Sequence, residues 1–191
     1  MKKINNIYSI IKGNDNPLSS DVAIIKDRFV FEVGNGDYII DELNKIDDKI
    51  IAISHFHQDH IANLNKLEYK ELYIGDNTYK YTNKGTIIDK DLYIDDVHLF
   101  KINSCHAKGS IGLEISDYAF VGDALAPCLK KNQYVYNVQM LKEEIETLEN
   151  LKAKYLITSH HMEEYQDKNE IIDRLKKIYE TREKNNSYIK A

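Results

Sequence analysis

Three histidines and an aspartate fall within a six-residue segment that directly follows an apolar run. The cluster is His55, His57, Asp59 and His60, and the run before it covers residues 49–53. An isoleucine-rich run of this length is typical of a buried strand, so we expect the cluster in the loop at that strand's end. Histidine nitrogens and carboxylate oxygens bind Zn²⁺ and similar divalent ions. The segment therefore predicts a metal site beside a sheet, and the alternative is a polar loop of hydrogen-bonded histidines.

The composition limits the class of protein. A chain of 191 residues suits one domain, 1–191. The net charge of −5 gives no basic face for nucleic acid, so we expect a small-molecule substrate. No segment approaches the ~20 apolar residues of a membrane span, and the N-terminus lacks the apolar core of a signal peptide. Two cysteines, Cys105 and Cys128, give no disulfide framework, so we predict free thiols and a cytoplasmic protein. The sequence makes no prediction of the oligomeric state.

Many short strands and a few helices indicate a sheet-rich, layered α/β fold. Alternating or continuous apolar patterns predict strands at residues 8–11, 22–25, 29–33, 50–54, 72–74, 86–88, 92–94, 97–102, 110–115, 118–121 and 155–158. Helical spacing of apolar residues predicts helices at residues 37–46, 61–67, 138–151 and 169–182. No internal repeat or low-complexity linker divides the chain.

Further metal-binding side chains follow other predicted strands. His106, Asp123 and His160 each come shortly after a different strand. Each residue alone is a weak signal, since a single Asp or His is usually a turn residue or a hydrogen-bonded polar group. If these strand ends share one edge, seven donors converge, which is enough for two metals. His161 is the alternative to its neighbour His160, and His98 lies inside a strand, where we expect a structural role.

The order and spacing of these segments resemble the metallo-β-lactamase fold superfamily of metal-dependent hydrolases. His-x-His-x-Asp-His is that family's main motif, and the chain resembles the later motifs around His106, at Gly122-Asp123-Ala124-Leu125 and at Ser159-His160. The resemblance covers nearly the whole chain. It implies a four-layer αββα sandwich and two divalent metal ions per chain, with Zn²⁺ favoured and Fe or Mn as alternatives.

The resemblance also assigns ligands by position. It implies one metal bound by His55, His57 and His106, a second bound by Asp59, His60 and His160, and Asp123 as the bridge between them. One departure concerns the support of the segment 55–60, called the metal loop below. The family usually has an Asp-Thr-Gly turn after its early hairpin, where this chain has Glu32-Val33-Gly34. We therefore expect the support of the ligands to differ at Glu32.

The resemblance implies a hydrolase in which a dinuclear centre activates water. Asp59 would orient that water, and a small ester, thioester or related bond would be cleaved. Lys108, Tyr134 and Tyr136 flank the predicted ligands in sequence and are predicted substrate contacts. The first alternative is a phosphodiesterase of the same superfamily. The second, from another class, is a non-catalytic metal-binding or interaction module. A diiron oxidoreductase is disfavoured, because that branch usually has a carboxylate where His57 stands.

Overall fold

Two β-sheets lie at the centre of the protein, and the computed structural model describes all of residues 1–191. The first sheet has seven strands that neighbour one another in chain order: β1 (Lys2–Lys3), β2 (Tyr8–Ile11), β3 (Val22–Ile25), β4 (Phe29–Phe31), β5 (Ile50–Ile53), β6 (Glu71–Ile74) and β7 (Thr86–Ile87). The second sheet contains β8 (Leu92–Ile94), β9 (Val97–Ile102), β10 (Ser110–Ile115), β11 (Tyr118–Gly122), β14 (Tyr155–Thr158) and β15 (Gln166–Asp167) in the spatial order β15-β14-β11-β10-β9-β8. A third sheet joins β12 (Cys128–Lys130), β13 (Gln133–Asn137) and β16 (Tyr188–Lys190).

Five α-helices and one short 3₁₀ helix connect these strands. The helices are α1 (Asp37–Leu43), α2 (Gln58–Ile61), α3 (Asp76–Thr82), α4 (Val138–Asn150) and α5 (Lys168–Glu180), and the 3₁₀ helix covers Leu64–Lys66. None of the helices has the length and apolar character needed to cross a membrane.

The alternation of side chains along the strands produces the layers. In β3, Ala23 and Ile25 belong to the core between the two sheets, whereas Val22 and Ile24 pack on the other face with Leu43 of α1. The inner face of the second sheet packs against the first sheet, and its outer face packs against α4 and α5. Because successive side chains of a strand point to opposite faces of the sheet, each sheet can bury apolar side chains on both of its faces. The result is the predicted αββα sandwich, and the predicted fold class is confirmed.

The apolar run before the histidine cluster forms the strand that the sequence predicts. β5 is fully buried and lies between β4 and β6, with both of which it pairs in parallel. A parallel strand covered on both faces needs apolar side chains at every position. This requirement explains the uninterrupted run at Ile50–Ile53, and it fixes the start of the following loop in the middle of the first sheet.

Several predicted elements differ from the observed ones. The α-helix predicted at residues 61–67 is not found there: α2 ends at Ile61, because backbone bonds from His60 and Ile61 to the carbonyl oxygen of His57 close a turn inside the motif itself, and only the 3₁₀ helix Leu64–Lys66 follows. Helix α3 and the third sheet were not predicted. Helix α3 has little apolar periodicity, since only Thr78 of its residues is buried. The third sheet pairs β13 with β16 near the end of the chain, a pairing that local patterns do not reveal.

The prediction of free thiols is wrong, because Cys105 and Cys128 form a disulfide. The hairpin of β12 and β13 places Cys128 against the loop that follows β9, with the two Cα atoms 5.4 Å apart. This distance lies within the range of disulfides. The 23-residue separation of the cysteines along the chain gave no sign of their proximity. The cytoplasmic location, which rested partly on free thiols, stays a prediction.

Candidate metal centre

The predicted ligands lie where the ends of the two sheets meet. The backbone N–H of Ile111 in β10 donates to the carbonyl oxygen of Ser54 at 3.0 Å, which joins the second sheet to the end of β5. Gly122, at the end of β11, has φ +62°, and a Cβ there would lie 2.5 Å from the side chain of Ser54. Only glycine permits this close approach with a positive φ. It brings the loop that carries Asp123 against the loop that carries His55.

Three imidazoles form the first group of donors. His55 Nε2 lies 2.9 Å from His57 Nδ1, and His106 Nε2 lies 3.1 Å from the same Nδ1 atom. Burial lowers the pKa of His55 to about 2, and burial also lowers the pKa of His57 and of His106. Each of these rings can offer one nitrogen to the same position, and an imidazole must be neutral to bind a metal. Nitrogens bound to one tetrahedral Zn²⁺ at about 2.0–2.1 Å would be roughly 3.3 Å apart, so the observed spacing fits such an ion.

Two carboxylates and two imidazoles form the second group. The Nε2 atoms of His60 and His160 each lie 3.2 Å from Asp59 Oδ2, and they lie 3.3 and 3.4 Å from Asp123 Oδ2. These four residues can place one ligand atom each within 4.8 Å of the others. Carboxylate oxygens and imidazole nitrogens together suit Zn²⁺ and other borderline divalent ions.

Asp123 belongs to both groups. Its Oδ2 atom lies 3.5 Å from His106 Nε2 of the first group, in addition to its contacts with the second. Burial opposes ionisation of Asp59 and Asp123, yet the close contacts with His160 and His60 outweigh burial and hold the pKa of both carboxyls below the usual range. Two ionised carboxylates in a largely buried site require compensating positive charge.

Protons on histidine supply that charge when no metal does. Hydrogen bonds with Asp123 and Asp59 raise the pKa of His160 to about 9. Burial disfavours the charged form of His60, but Glu32, Asp123 and Asp59 together raise its pKa well above the usual value. A divalent ion can replace these protons, because metal ligands must be deprotonated to bind.

His60 provides the most direct test of whether the donors fit a metal. Its ring is completely buried, and both ring nitrogens lack a well-aligned hydrogen bond, although three carboxylates lie 3.1–3.3 Å away. A buried nitrogen without a partner costs free energy unless something else satisfies it. An ion between His60 Nε2 and the carboxylates of Asp59 and Asp123 would satisfy that nitrogen, so the donor set fits a metal.

Glu32 lies behind the second group and supports it. Glu32 Oε1 lies 3.1 Å from His60 Nδ1 and accepts a hydrogen bond from Ser159 Oγ at 2.8 Å. Its Oε2 accepts a hydrogen bond from the backbone N–H of Ser54 at 3.3 Å. The side chain thus lies against His60 and links the loops that follow β5 and β14 through Ser54 and Ser159. Glu32 therefore contacts the donor loops from behind the second group, at the position where the family usually has the aspartate.

Two serines that contact these residues, Ser54 and Ser159, were not predicted from the sequence. Ser54 Oγ lies 2.8 Å from His55 Nδ1, on the opposite side of the ring from the first group. Ser159 holds Glu32. The available signal was position, since each serine directly precedes a predicted ligand, His55 or His160.

The other predicted residues fall in different places. The structure brings His160 into the second group and leaves His161 exposed. His98 Nδ1 lies 2.8 Å from Glu114 Oε2, which fits the structural role expected of it. Lys108 lines a cavity beside His106. The remaining two predicted substrate contacts line neither this cavity nor the donor groups: Tyr134 is 63% exposed on β13, and the buried Tyr136 donates its hydroxyl to Leu125 O at 3.0 Å.

Comparisons with known proteins agree with this architecture. No protein-family model matches the chain, and no curated protein sequence matches it. Solved structures do match. The DIM-1 metallo-β-lactamase superposes with a TM-score of 0.68 at 16% identity, over 94% of this chain and 96% of that one. A B3 metallo-β-lactamase with an active-site glutamic acid gives 0.62 at 13% identity, over 86% and 84%.

A second kind of protein shares the fold. A flavo-diiron protein from Thermotoga maritima gives a TM-score of 0.64 at 15% identity, over 87% of this chain but only 54% of that one. These identities are too low to transfer an activity, but the coverage of the lactamases is nearly complete. Together with the two packed sheets, these structural matches show that the chain has the metallo-β-lactamase fold.

Proposed function

We propose that the protein is a metal-dependent hydrolase whose clustered donors hold two divalent metal ions. The observation that carries the proposal is the position of Asp123 Oδ2, which lies within 3.3–3.5 Å of nitrogens from both donor groups. A carboxylate oxygen in this position can serve both ions. Zn²⁺ is favoured because the donors are imidazoles and carboxylates without a thiolate, and the same donors also accept Fe or Mn.

Two divalent ions held by these donors would supply an activated water, with its pKa lowered to about 7, and polarisation of a substrate oxygen. The chain's own residues prepare the site for this chemistry. Asp59 is ionised and partly exposed, so its carboxylate can accept a hydrogen bond from the water and orient it. Ser54 hydrogen-bonds to His55, and Glu32 places a carboxylate 3.1 Å from His60 Nδ1. We assign a small ester, thioester or related bond as the target.

Metal content is the first test. We expect two metal ions per chain when the purified protein is supplied with Zn²⁺, Fe²⁺ and Mn²⁺ in turn and analysed by elemental analysis. One ion per chain, or none, under all three conditions would refute the dinuclear centre.

Neighbouring histidines offer a matched pair of variants. His160→Ala removes a donor of the second group, whereas His161→Ala removes the exposed residue next to it. We expect His160→Ala, His57→Ala and Asp123→Ala to abolish hydrolysis while the circular dichroism spectrum is retained. His161→Ala should keep full activity. Equal activity in His160→Ala and His161→Ala would contradict the assignment.

The bond that is cleaved can be found by a screen of four substrate classes: a glutathione thioester, a lactone, a phosphodiester and a β-lactam. We expect turnover of the thioester or the lactone. Turnover of the phosphodiester alone would move the protein to the phosphodiesterase alternative. A protein that holds two metals but cleaves none of the four would be a metal-binding module.

A further inference from the structure

A cavity beside the first donor group has a lining that the metal chemistry does not require. It has a volume of about 430 Å³, and His106 forms part of its wall. The rest of the wall includes Phe56 from the metal loop, Tyr81 and Lys80 from α3, and Lys108 from the loop after His106. This volume lies within the range of cavities that bind small molecules. The cavity is therefore large enough for a substrate group placed next to the reacting bond.

Two aromatic rings in the wall of this cavity are stacked on each other. The rings of Phe56 and Tyr81 are stacked with centroids 4.4 Å apart and planes within 5° of parallel. The Phe56 ring also lies 5.0 Å from the ring of His57, with the two planes 78° apart, so the stacked pair lies directly beside the first donor group. Tyr81 remains 61% exposed even though it stacks on Phe56. A planar group of a ligand can stack on the exposed ring of Tyr81, which Phe56 supports from its other face.

The charge of the cavity has one sign. Lys80 and Lys108 lie in its wall, no acidic side chain does, and neither lysine forms an ion pair within the chain. Lys80 Nζ instead donates to Asn77 Oδ1 at 2.5 Å. In a protein of net charge −5, two free ammonium groups on one small cavity are a local excess of positive charge. They favour a ligand that carries a carboxylate or a phosphate.

The wall is held in place by contacts between α3 and the His106 loop. Asn77 Nδ2 donates to the carbonyl oxygen of Lys108 at 3.0 Å. Gly75, just before α3, approaches Gly109 so closely that a Cβ on Gly75 would lie 1.6 Å from the carbonyl oxygen of Gly109. The helix that carries Lys80 and Tyr81 is thus packed directly on the loop that carries His106.

We propose that this cavity binds the part of the substrate next to the cleaved bond, and that this part is a planar ring bearing an anionic group. The proposal rests on the hydrolase proposed above, because it places the cavity beside that reaction. A larger cavity of about 850 Å³ lies elsewhere, between residues 44–49 and 66–70, and contains no predicted ligand. Its lining mixes lysines with acidic residues and has no stacked aromatic pair. Although this cavity is larger, its lining gives no reason to place the substrate there.

Equilibrium binding to the metal-loaded protein tests the proposal without any turnover. The probes are benzoate and phenyl phosphate, compared with acetate and inorganic phosphate, which carry the same charges without a ring. We expect each aromatic probe to bind about three to ten times more tightly than its counterpart without a ring, since the ring adds stacking on the exposed Tyr81. The comparison of benzoate with phenyl phosphate then shows which anion the site prefers.

Variants of exposed residues separate the cavity from the metals. Lys108→Ala and Lys80→Ala should each weaken binding of the preferred aromatic probe about threefold to tenfold, and Tyr81→Ala should remove most of the advantage of the ring. The matched controls are Lys142→Ala on α4 and Tyr93→Ala on β8, where Tyr93 is 62% exposed and so resembles Tyr81. Both controls should bind the probes as the unchanged protein does.

The two proposals fail in different ways. Equal affinity for aromatic and non-aromatic probes, or equal effects of the cavity variants and their controls, would overturn the cavity assignment even if the protein hydrolyses an ester. A metal content below two ions per chain, or no turnover of any substrate, would overturn the proposed hydrolase. The binding result would still stand, because it is measured without turnover.

Discussion

Glu144 is a buried acid that the proposed chemistry does not use, and it offers a sharp test of the electrostatics of the fold. It lies on the inner face of α4 with 0% exposure, and neither of its carboxyl oxygens has a hydrogen-bond partner. Burial raises its pKa well above the usual value. The folded protein therefore keeps a proton on Glu144 at a pH at which the unfolded chain has released it.

This difference sets the sign of the pH dependence. Because the pKa of Glu144 is higher in the folded state, its contribution to stability is most favourable below the unfolded value of 4.5. The free energy of unfolding then falls as pH rises from there to the folded pKa, by about 1.4 kcal/mol for each pH unit. Even the protonated acid leaves a buried polar group unpaired, which costs roughly 1–3 kcal/mol.

Glu144→Leu removes the pH-dependent cost of the acid and the cost of its unpaired polar group, and it keeps a similar volume next to Leu141 and Leu148. We expect the free energy of unfolding to rise by about 1–3 kcal/mol near pH 5, and Tm to rise by roughly 2–12 °C for a chain of this size. The gain should grow between pH 5 and pH 8. Urea unfolding at several pH values, with the metal content held constant, measures it.

Glu146→Gln is the control, since Glu146 lies on the same helix with a side chain 56% exposed. That substitution should change stability by no more than about 0.5 kcal/mol at any pH. A gain from Glu144→Leu that is constant from pH 5 to pH 8, or a loss of stability, would refute the reasoning about the buried acid.

Two further predictions concern the support of the donor loops. Glu32→Gln keeps the size of the side chain but removes the negative charge beside His60, so metal affinity should fall about 10–100-fold in competition with a chelator; unchanged affinity would show that His60 needs no such support. Reduction of the disulfide, or the double variant Cys105→Ser and Cys128→Ser, should cost about 3 kcal/mol in urea unfolding, because the bond closes a loop of 23 residues in sequence separation. Equal stability with and without reductant would argue that the thiols are unpaired in solution.

Local sequence patterns predicted the elements that pack by their own periodicity. The strands Tyr8–Ile11, Val97–Ile102 and Ser110–Ile115 have the predicted bounds, because each presents apolar side chains to a core at every second position or continuously. The long helix α4 was predicted to within one residue for the same reason. Helix α3 could not be predicted in this way, since it is anchored by the approach of Gly75 to Gly109 rather than by an apolar face.

The chain alone determined which side chains could bind metal, because ligand chemistry depends on residue type and the motif places four donors in one loop. Their convergence depended on the tertiary structure. The distance from His57 to His106, 49 residues apart, is set by how the two sheets pack and by the glycine that lets Asp123 approach the metal loop. The support from Glu32, the pairing of Cys105 with Cys128, and the stacking of Phe56 on Tyr81 likewise join residues distant in sequence. Such contacts follow from packing between layers, which no local periodicity encodes.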